Sequence, residues 1–135
     1  MVKMSTTKQL ANESELRFAS EFVRAGWSVY LPYGEDSPVD LLIFNKEGYR
    51  RVQVKATKPK DGAIICKLRS TNNWQIKKYS LDEVDLFGLY DYENKMGYLI
   101  PFKDFAGMSQ ISFRLNKPKN NQVKGIRYAK KYDFF

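Results

Sequence analysis

The first part of the chain has the hydrophobic spacing of an amphipathic helix. From residue 6 to residue 25, apolar side chains recur at intervals of three and four, which places them on one side of a helix. Gly26 follows as a terminator, and Ser5 or Thr6 precedes as the cap, because a hydroxyl accepts hydrogen bonds from free N–H groups. We therefore predict a helix over residues 6–25.

After this helix the chain alternates between short apolar runs and turns rich in glycine, proline and asparagine, which is typical of strands. The predicted strands are 27–33, 39–45, 49–57, 63–68, 86–92, 98–102 and 111–115. Residues 69–78 are polar and are predicted to be a loop, and no structure is assigned from residue 116 onwards. A helix followed by a run of strands predicts an α/β or α+β fold in which the helix packs on a sheet.

Glu15 stands on the wrong side of the predicted helix for a charged residue. On a helical wheel, the apolar positions surround it and the other charged residues occupy the opposite side. The apolar positions in question are Ala11, Phe18, Ala19 and Phe22. Burying an ionised carboxylate costs on the order of several kcal/mol, unless the carboxylate is paired or bound to a metal ion. Glu15 is therefore a candidate site residue, although a glutamate near a helix start can also reach solvent or cap its own turn.

The next two strands form a hairpin with a definite register. A two-residue turn at Lys46 and Glu47 pairs Asn45 with Gly48, so that the numbers of opposed residues sum to 93. The apolar side chains Val39, Leu41, Val52 and Val54 then share one face, which we predict faces the core. The polar side chains Asp40, Gln53 and Lys55 share the other face. A bulge at Gly48 would shift the register by one and leave these groups neighbours, and the polar face is also compatible with an ordinary solvated strand.

Length and composition limit the classes of protein. With 135 residues, the chain fits a single domain over residues 1–135, without internal repeats. No apolar run approaches the roughly 18 residues of a membrane span, and the N-terminus lacks the apolar segment of a signal peptide, so we expect no membrane partner and no secretion. The single cysteine excludes an intrachain disulfide and suits the cytoplasm.

The absence of histidine narrows the chemistry further. Without imidazole there is no serine or cysteine triad and no histidine-based nuclease site, and zinc sites built from several cysteines are excluded. Acid–base or metal chemistry must then use carboxylates, amides, lysines, tyrosines or backbone carbonyls. Oxygen ligands of this kind suit Mg²⁺ or Mn²⁺.

The net charge of +8 is concentrated in two segments. Residues 46–78 carry ten basic and two acidic side chains, and residues 114–135 carry seven and one, whereas the other segments are net negative. Segregated positive charge is typical of a polyanion-binding face, although it is also compatible with a solvated basic surface.

Three short motifs, taken together, resemble the PD-(D/E)XK nuclease superfamily. They are Glu15 on the helix, Pro38-Val39-Asp40, and Gln53-Val54-Lys55 on the neighbouring strand. The likeness covers roughly residues 10–105 and looks like the branch of group I intron-encoded homing endonucleases, with Holliday-junction resolvases as relatives. Most members of the superfamily have an acidic residue at the position of Gln53. The amide oxygen of glutamine can still coordinate a metal ion, but the site then has one negative charge fewer. Glutamine at this position is similar to the homing endonuclease branch.

The resemblance implies a restriction-endonuclease-like core with a mixed sheet, and a Mg²⁺-dependent (or Mn²⁺-dependent), sequence-specific endonuclease for double-stranded DNA. By the same resemblance, Asp40, Gln53 and the Val54 carbonyl would hold the metal ion, and Glu15 would hold it directly or through water. Lys55 would orient or help deprotonate the attacking water. The products would carry a 5′-phosphate and a 3′-hydroxyl, and a double-strand cut would require a homodimer or homotetramer.

The DNA contacts are expected from the two basic segments. Phosphate contacts are assigned to Lys58, Lys60, Arg69, Lys77, Lys78, Lys117, Lys119 and Lys124, and base contacts to Asn72, Asn73 and Gln75. Trp74 would stack on or wedge between bases, or else anchor its loop to the core. Two other readings stay open: a structure-selective nuclease such as a junction resolvase, or a restriction or repair nuclease; and a non-catalytic DNA-binding protein disabled by Gln53.

Overall fold

The structure is a computed structural model that describes residues 6–72 and 74–135. Ser5 and Asn73, named above as a possible helix cap and a base contact, lie outside the described residues. Within this part of the chain, no helix is both long enough and apolar enough to cross a bilayer.

The predicted N-terminal helix is present as α1 (Thr7–Arg24). Thr6 is its cap: the Thr6 hydroxyl accepts from the Gln9 N–H at 3.1 Å, and the Gln9 side chain accepts from the Thr6 N–H at 2.8 Å. The helix ends before Gly26, whose φ of +95° is a conformation that glycine adopts without strain.

Nine strands follow in the described residues, several of them shorter than the sequence predicted. They are β1 (Ser28–Tyr30), β2 (Leu41–Asn45), β3 (Gly48–Thr57), β4 (Ala63–Lys67), β5 (Arg69–Asn72), β6 (Gln75–Lys78), β7 (Leu86–Asp91), β8 (Met96–Pro101) and β9 (Gln110–Arg114). Short 3₁₀ helices occupy Phe102–Asp104 and Ala129–Tyr132. Five strands form the main sheet in the order β1-β2-β3-β7-β8, and β4 pairs with β9 in a separate ribbon.

The main sheet is mixed, as the fold prediction requires. Strands β3 and β7 run parallel, and the other neighbouring strands run antiparallel. The register predicted for the β2–β3 hairpin is confirmed, since Leu41 pairs with Val52 and Asn45 with Gly48. The predicted α+β architecture is therefore confirmed.

The prediction of a loop at residues 69–78 is wrong. Strands β5 and β6 pair antiparallel, with Asn72 opposite Gln75, and Trp74 between them has a φ of +76°. The side chains from Gln75 to Lys78 are all exposed, so this hairpin lacks the alternation of apolar and polar residues by which a half-buried strand is predicted.

Both faces of the main sheet are covered. On one face, Phe18 and Phe22 of α1 pack on the apolar residues of β2 and β3, joined by the C-terminal Phe134 and Phe135. On the other face, Phe87 of β7 packs against the β4–β9 ribbon, whose inward residues are Ile64, Cys66, Ile111 and Phe113. The polar face of β3 is consequently covered by this second layer and is not an open solvated strand face.

Gly88 sets how closely α1 approaches the sheet. A Cβ atom at Gly88 would lie 2.8 Å from Cε1 of the fully buried Phe18. We expect Gly88→Ala to lower the free energy of unfolding by about 1–3 kcal/mol, because the packed ring has no space to move into. Urea denaturation measures this loss. Combining it with Phe18→Leu should cost less than the sum of the two single substitutions, and strict additivity would contradict the proposed clash.

Candidate active site

The structure brings Glu15 of α1 against Asp40, the residue that precedes β2. Burial, followed by the charge of Asp40 and a hydrogen bond between the two side chains, raises the pKa of Glu15 to about 7. Burial also raises the pKa of Asp40 above its usual range. Two neighbouring carboxyl groups repel each other when both are ionised, so Glu15 keeps its proton to a higher pH than an isolated glutamate does.

Asp40 is fixed in place by the adjacent strand. Its backbone N–H donates to the Val52 carbonyl at 2.9 Å, and its Oδ2 accepts from the Val54 N–H at 2.8 Å. Strand β2 begins only at Leu41, so the Asp40 side chain supplies the acceptor that a further strand residue would otherwise provide. The carboxylate is therefore oriented before any ligand arrives.

Lys55 completes the polar side of the site. Its Nζ donates to the Arg69 carbonyl at 3.3 Å and lies 5.0 Å from the centre of the Tyr79 ring. Burial lowers the pKa of Lys55, while the nearby charge of Asp40 opposes that shift. The ammonium group is thus held next to the carboxyl pair by the chain that leads into the β5–β6 hairpin.

Gln53 lies on the same side of β3 as Lys55, two residues before it. Its side chain is only 9% exposed, and in the parallel register it pairs with the buried Phe87. The side chain that accompanies Lys55 on this side of β3 is therefore a neutral amide and not a third carboxylate.

The donor set of this site fits a hard divalent cation. Among the described residues there is no cluster of three or more histidine, cysteine, aspartate and glutamate side chains. An ion would therefore need oxygen atoms from Gln53 and from a backbone carbonyl such as that of Val54, besides the carboxylates of Glu15 and Asp40. Such all-oxygen sets suit Mg²⁺, and a cation would relieve the repulsion within the carboxyl pair.

Residues 5–135 match the family model described as PD-(D/E)XK endonuclease. The chain belongs to the PD-(D/E)XK endonuclease family. Among solved structures, it is similar to that titled as the bacterial homing endonuclease I-Ssp6803I, with a TM-score of 0.75 and 23% sequence identity over 96% of this chain and 89% of that one. No curated protein sequence matches the chain. The family predicted from the three motifs is therefore confirmed, and the structural neighbour confirms the fold.

Sequence reasoning missed two groups of this candidate site, the Tyr79 ring and the Arg69 carbonyl. The Tyr79 ring lies between Lys55 and Phe87, with its centre 5.6 Å from that of Phe87. Both missed groups flank the β5–β6 hairpin, which the sequence did not predict. The polar composition of residues 69–78 gave no signal that would have placed them beside Lys55.

Several side chains predicted to bind DNA around the candidate site have partners within the protein. The Arg69 Nη1 donates to Ser109 Oγ at 2.9 Å, Lys77 Nζ lies 2.9 Å from Glu83 Oε2, and Lys78 Nζ donates to the Gly107 carbonyl at 3.3 Å. Trp74 is 102% exposed, so it does not anchor the hairpin to the core. The remaining basic residues of the prediction are at the surface: Lys58, Lys60, Lys117, Lys119 and Lys124.

Proposed function

We propose that this PD-(D/E)XK endonuclease uses Mg²⁺, or Mn²⁺ in its place, to cut double-stranded DNA at a defined sequence. The observation that supports this most directly is the contact between Glu15 and Asp40 beside Lys55. A pair of carboxyl groups destabilises the metal-free protein, which a bound cation would offset. The half-buried lysine beside the pair suits cleavage of a phosphodiester.

Glu15, Asp40, Gln53 and the Val54 carbonyl would hold the ion. When bound, a divalent cation supplies positive charge that polarises the phosphate. Lys55 would orient the attacking water, and its lowered pKa suits a group that takes part in removing a proton from that water. The water oxygen forms a bond to phosphorus as the bond to the 3′ oxygen breaks, which leaves a 5′-phosphate and a 3′-hydroxyl.

One site in one chain cuts one strand. For a double-strand cut we propose that two sites act together in a homodimer or a homotetramer. Analytical ultracentrifugation of the free protein and of its DNA complex measures this assembly, and a monomer bound to its cleaved duplex would contradict it. We further propose that the protein acts in the cytoplasm, which suits its single, free cysteine.

The central experiment incubates the protein with Mg²⁺ and a randomised duplex library beside a four-way junction, and sequences the products. We expect cuts at one recurring sequence in the library. Preferential cutting of the junction would instead identify a structure-selective nuclease, and binding without cutting in either Mg²⁺ or Mn²⁺ would identify a DNA-binding protein disabled by Gln53.

Tyr79 should act as a positioning residue for Lys55. We expect Tyr79→Leu to slow single-turnover cleavage by about 5- to 30-fold, because a cation–π contact of this kind contributes about 1–2 kcal/mol when partly desolvated. Tyr79→Phe keeps the ring and should retain a rate close to wild type. Equal losses in both variants, with unchanged melting temperatures, would contradict this role of the ring.

A further inference from the structure

The two basic segments of the sequence meet in the fold. Strand β4 belongs to the first segment and pairs with β9, where the second segment begins, so that Ala63 lies opposite Arg114. The Leu115 N–H donates to the Gly62 carbonyl at 2.8 Å, which holds the start of the second segment against the turn before β4. Charges that are separated by about 50 residues in sequence therefore share one surface.

Arg114 lies at the centre of this surface, on the solvent side of the ribbon. Alternation along the two strands sends Ile64, Cys66, Ile111 and Phe113 into the core, so Arg114 points the other way. One adjoining cleft is lined by Lys58 and Lys60, and a second by Lys117 and Lys119; Arg114 lines both. We call these five basic residues the Arg114 surface. Asp61 is the acidic residue that lines both clefts.

Backbone groups hold the Arg114 guanidinium in a fixed orientation. Its Nη1 donates to the Asp61 carbonyl at 2.9 Å and its Nε to the Asn116 carbonyl at 3.1 Å. Its Nη2 lies against Gly62, where an added Cβ would be only 2.9 Å away. Both of these acceptors are neutral, so they orient the positive charge of Arg114 without neutralising it. An oriented guanidinium between pairs of lysines is suited to a phosphate oxygen.

We propose that Arg114 binds one backbone phosphate of the DNA, about three to four nucleotides from the phosphate that is cut. The identification of the ligand as DNA rests on the proposed function. The spacing is measured along β4, whose residues Cys66 and Lys67 are near enough to act on the pKa of Lys55, whereas Arg114 is level with Ala63. Three to four strand residues span about 10–13 Å, and one DNA strand advances about 3.4 Å per nucleotide.

Salt dependence of binding tests this contact without requiring cleavage. A 30-base-pair duplex in EDTA would be titrated with protein at several salt concentrations and followed by fluorescence anisotropy. We expect Arg114→Gln to reduce the slope of log K against log salt by about 0.9, the value for one lost phosphate contact. Arg24→Gln is the matched control, because Arg24 is exposed at the end of α1, which packs on β1, β2 and β3. Its slope should equal that of wild type.

The position of the contact is then tested with a set of cleavable duplexes. In each duplex, one phosphate at a different position is replaced by a neutral methylphosphonate. One neutral linkage about three to four nucleotides from the cut should weaken binding of wild type and have little effect on Arg114→Gln. A folded Arg114→Gln protein with the wild-type slope would overturn the proposal. Should Arg114→Gln fail to fold, the wild-type measurement decides: a neutral linkage about three to four nucleotides from the cut that leaves binding unchanged would overturn the proposal. If Arg114→Gln lowers the slope but the wild-type protein cuts no duplex, then the proposed cleavage is wrong and the Arg114 contact still stands.

Discussion

Replacing Asp40 with asparagine is expected to reduce DNA cleavage by at least about 10³-fold, which corresponds to a loss of about 4 kcal/mol of transition-state stabilisation. The asparagine amide oxygen can still accept the hydrogen bond from the Val54 N–H, so the local fold should survive. What it removes is the negative charge that would hold the divalent ion. Single-turnover cleavage in saturating Mg²⁺ measures the effect.

The matched control is Asp36→Asn. Asp36 is exposed and lies four residues earlier in the same loop, so this variant has the same change in net charge without a change in the site. We expect it to cut at the wild-type rate. Equal cleavage by Asp40→Asn and wild type, with both proteins folded, would show that Asp40 does not act in the reaction.

The parts of the site that the sequence predicted are those specified by short-range patterns. Helical periodicity alone places Glu15 among apolar residues, and the two-residue turn fixes the register that brings Asp40 next to the 53–55 segment. Each of these arguments uses contacts between residues that are close in sequence or joined by one tight turn.

The parts that it did not predict depend on contacts between distant residues. The parallel pairing of β3 with β7 begins where the Arg51 N–H and Nε both donate to Asp85 Oδ2, 34 residues away. The contact of Lys55 with the Arg69 carbonyl depends on the β5–β6 hairpin, whose exposed second strand carries no periodic signal. Charge counts identified two basic segments, but their contact in the fold depends on the pairing of β4 with β9, which lie about 50 residues apart in sequence.

Glu15→Gln should produce the opposite of the usual effect of a mutation: a more stable protein that does not cut DNA. The raised pKa of Glu15 means that the folded state binds its proton more tightly than the unfolded state does. The stability that this proton contributes is present below pH 4.5, the unfolded value, and is lost as the pH rises through about 7. At pH 8 without divalent ions, wild type therefore carries an unfavourable charge that the glutamine variant lacks.

After allowance for the partial exposure of Glu15, the gain should be on the order of 1 kcal/mol, or about 3–5 °C in melting temperature at pH 8. Near pH 4 the two proteins should melt together. Added Mg²⁺ should raise the melting temperature of wild type at pH 8 more than that of Glu15→Gln, because an ion that binds only the folded state stabilises it.

Glu13→Gln controls for the loss of one acid from the same helix. Glu13 makes an exposed ion pair with Arg17 at 3.7 Å, so its removal should change stability by less than about 0.5 kcal/mol at either pH. The contrast between the two glutamates isolates the cost of placing a carboxylate beside Asp40. If Glu15→Gln melts below wild type at pH 8 without divalent ions, then the carboxylate stabilises the apo fold, and the site is built for an internal partner and not for a cation.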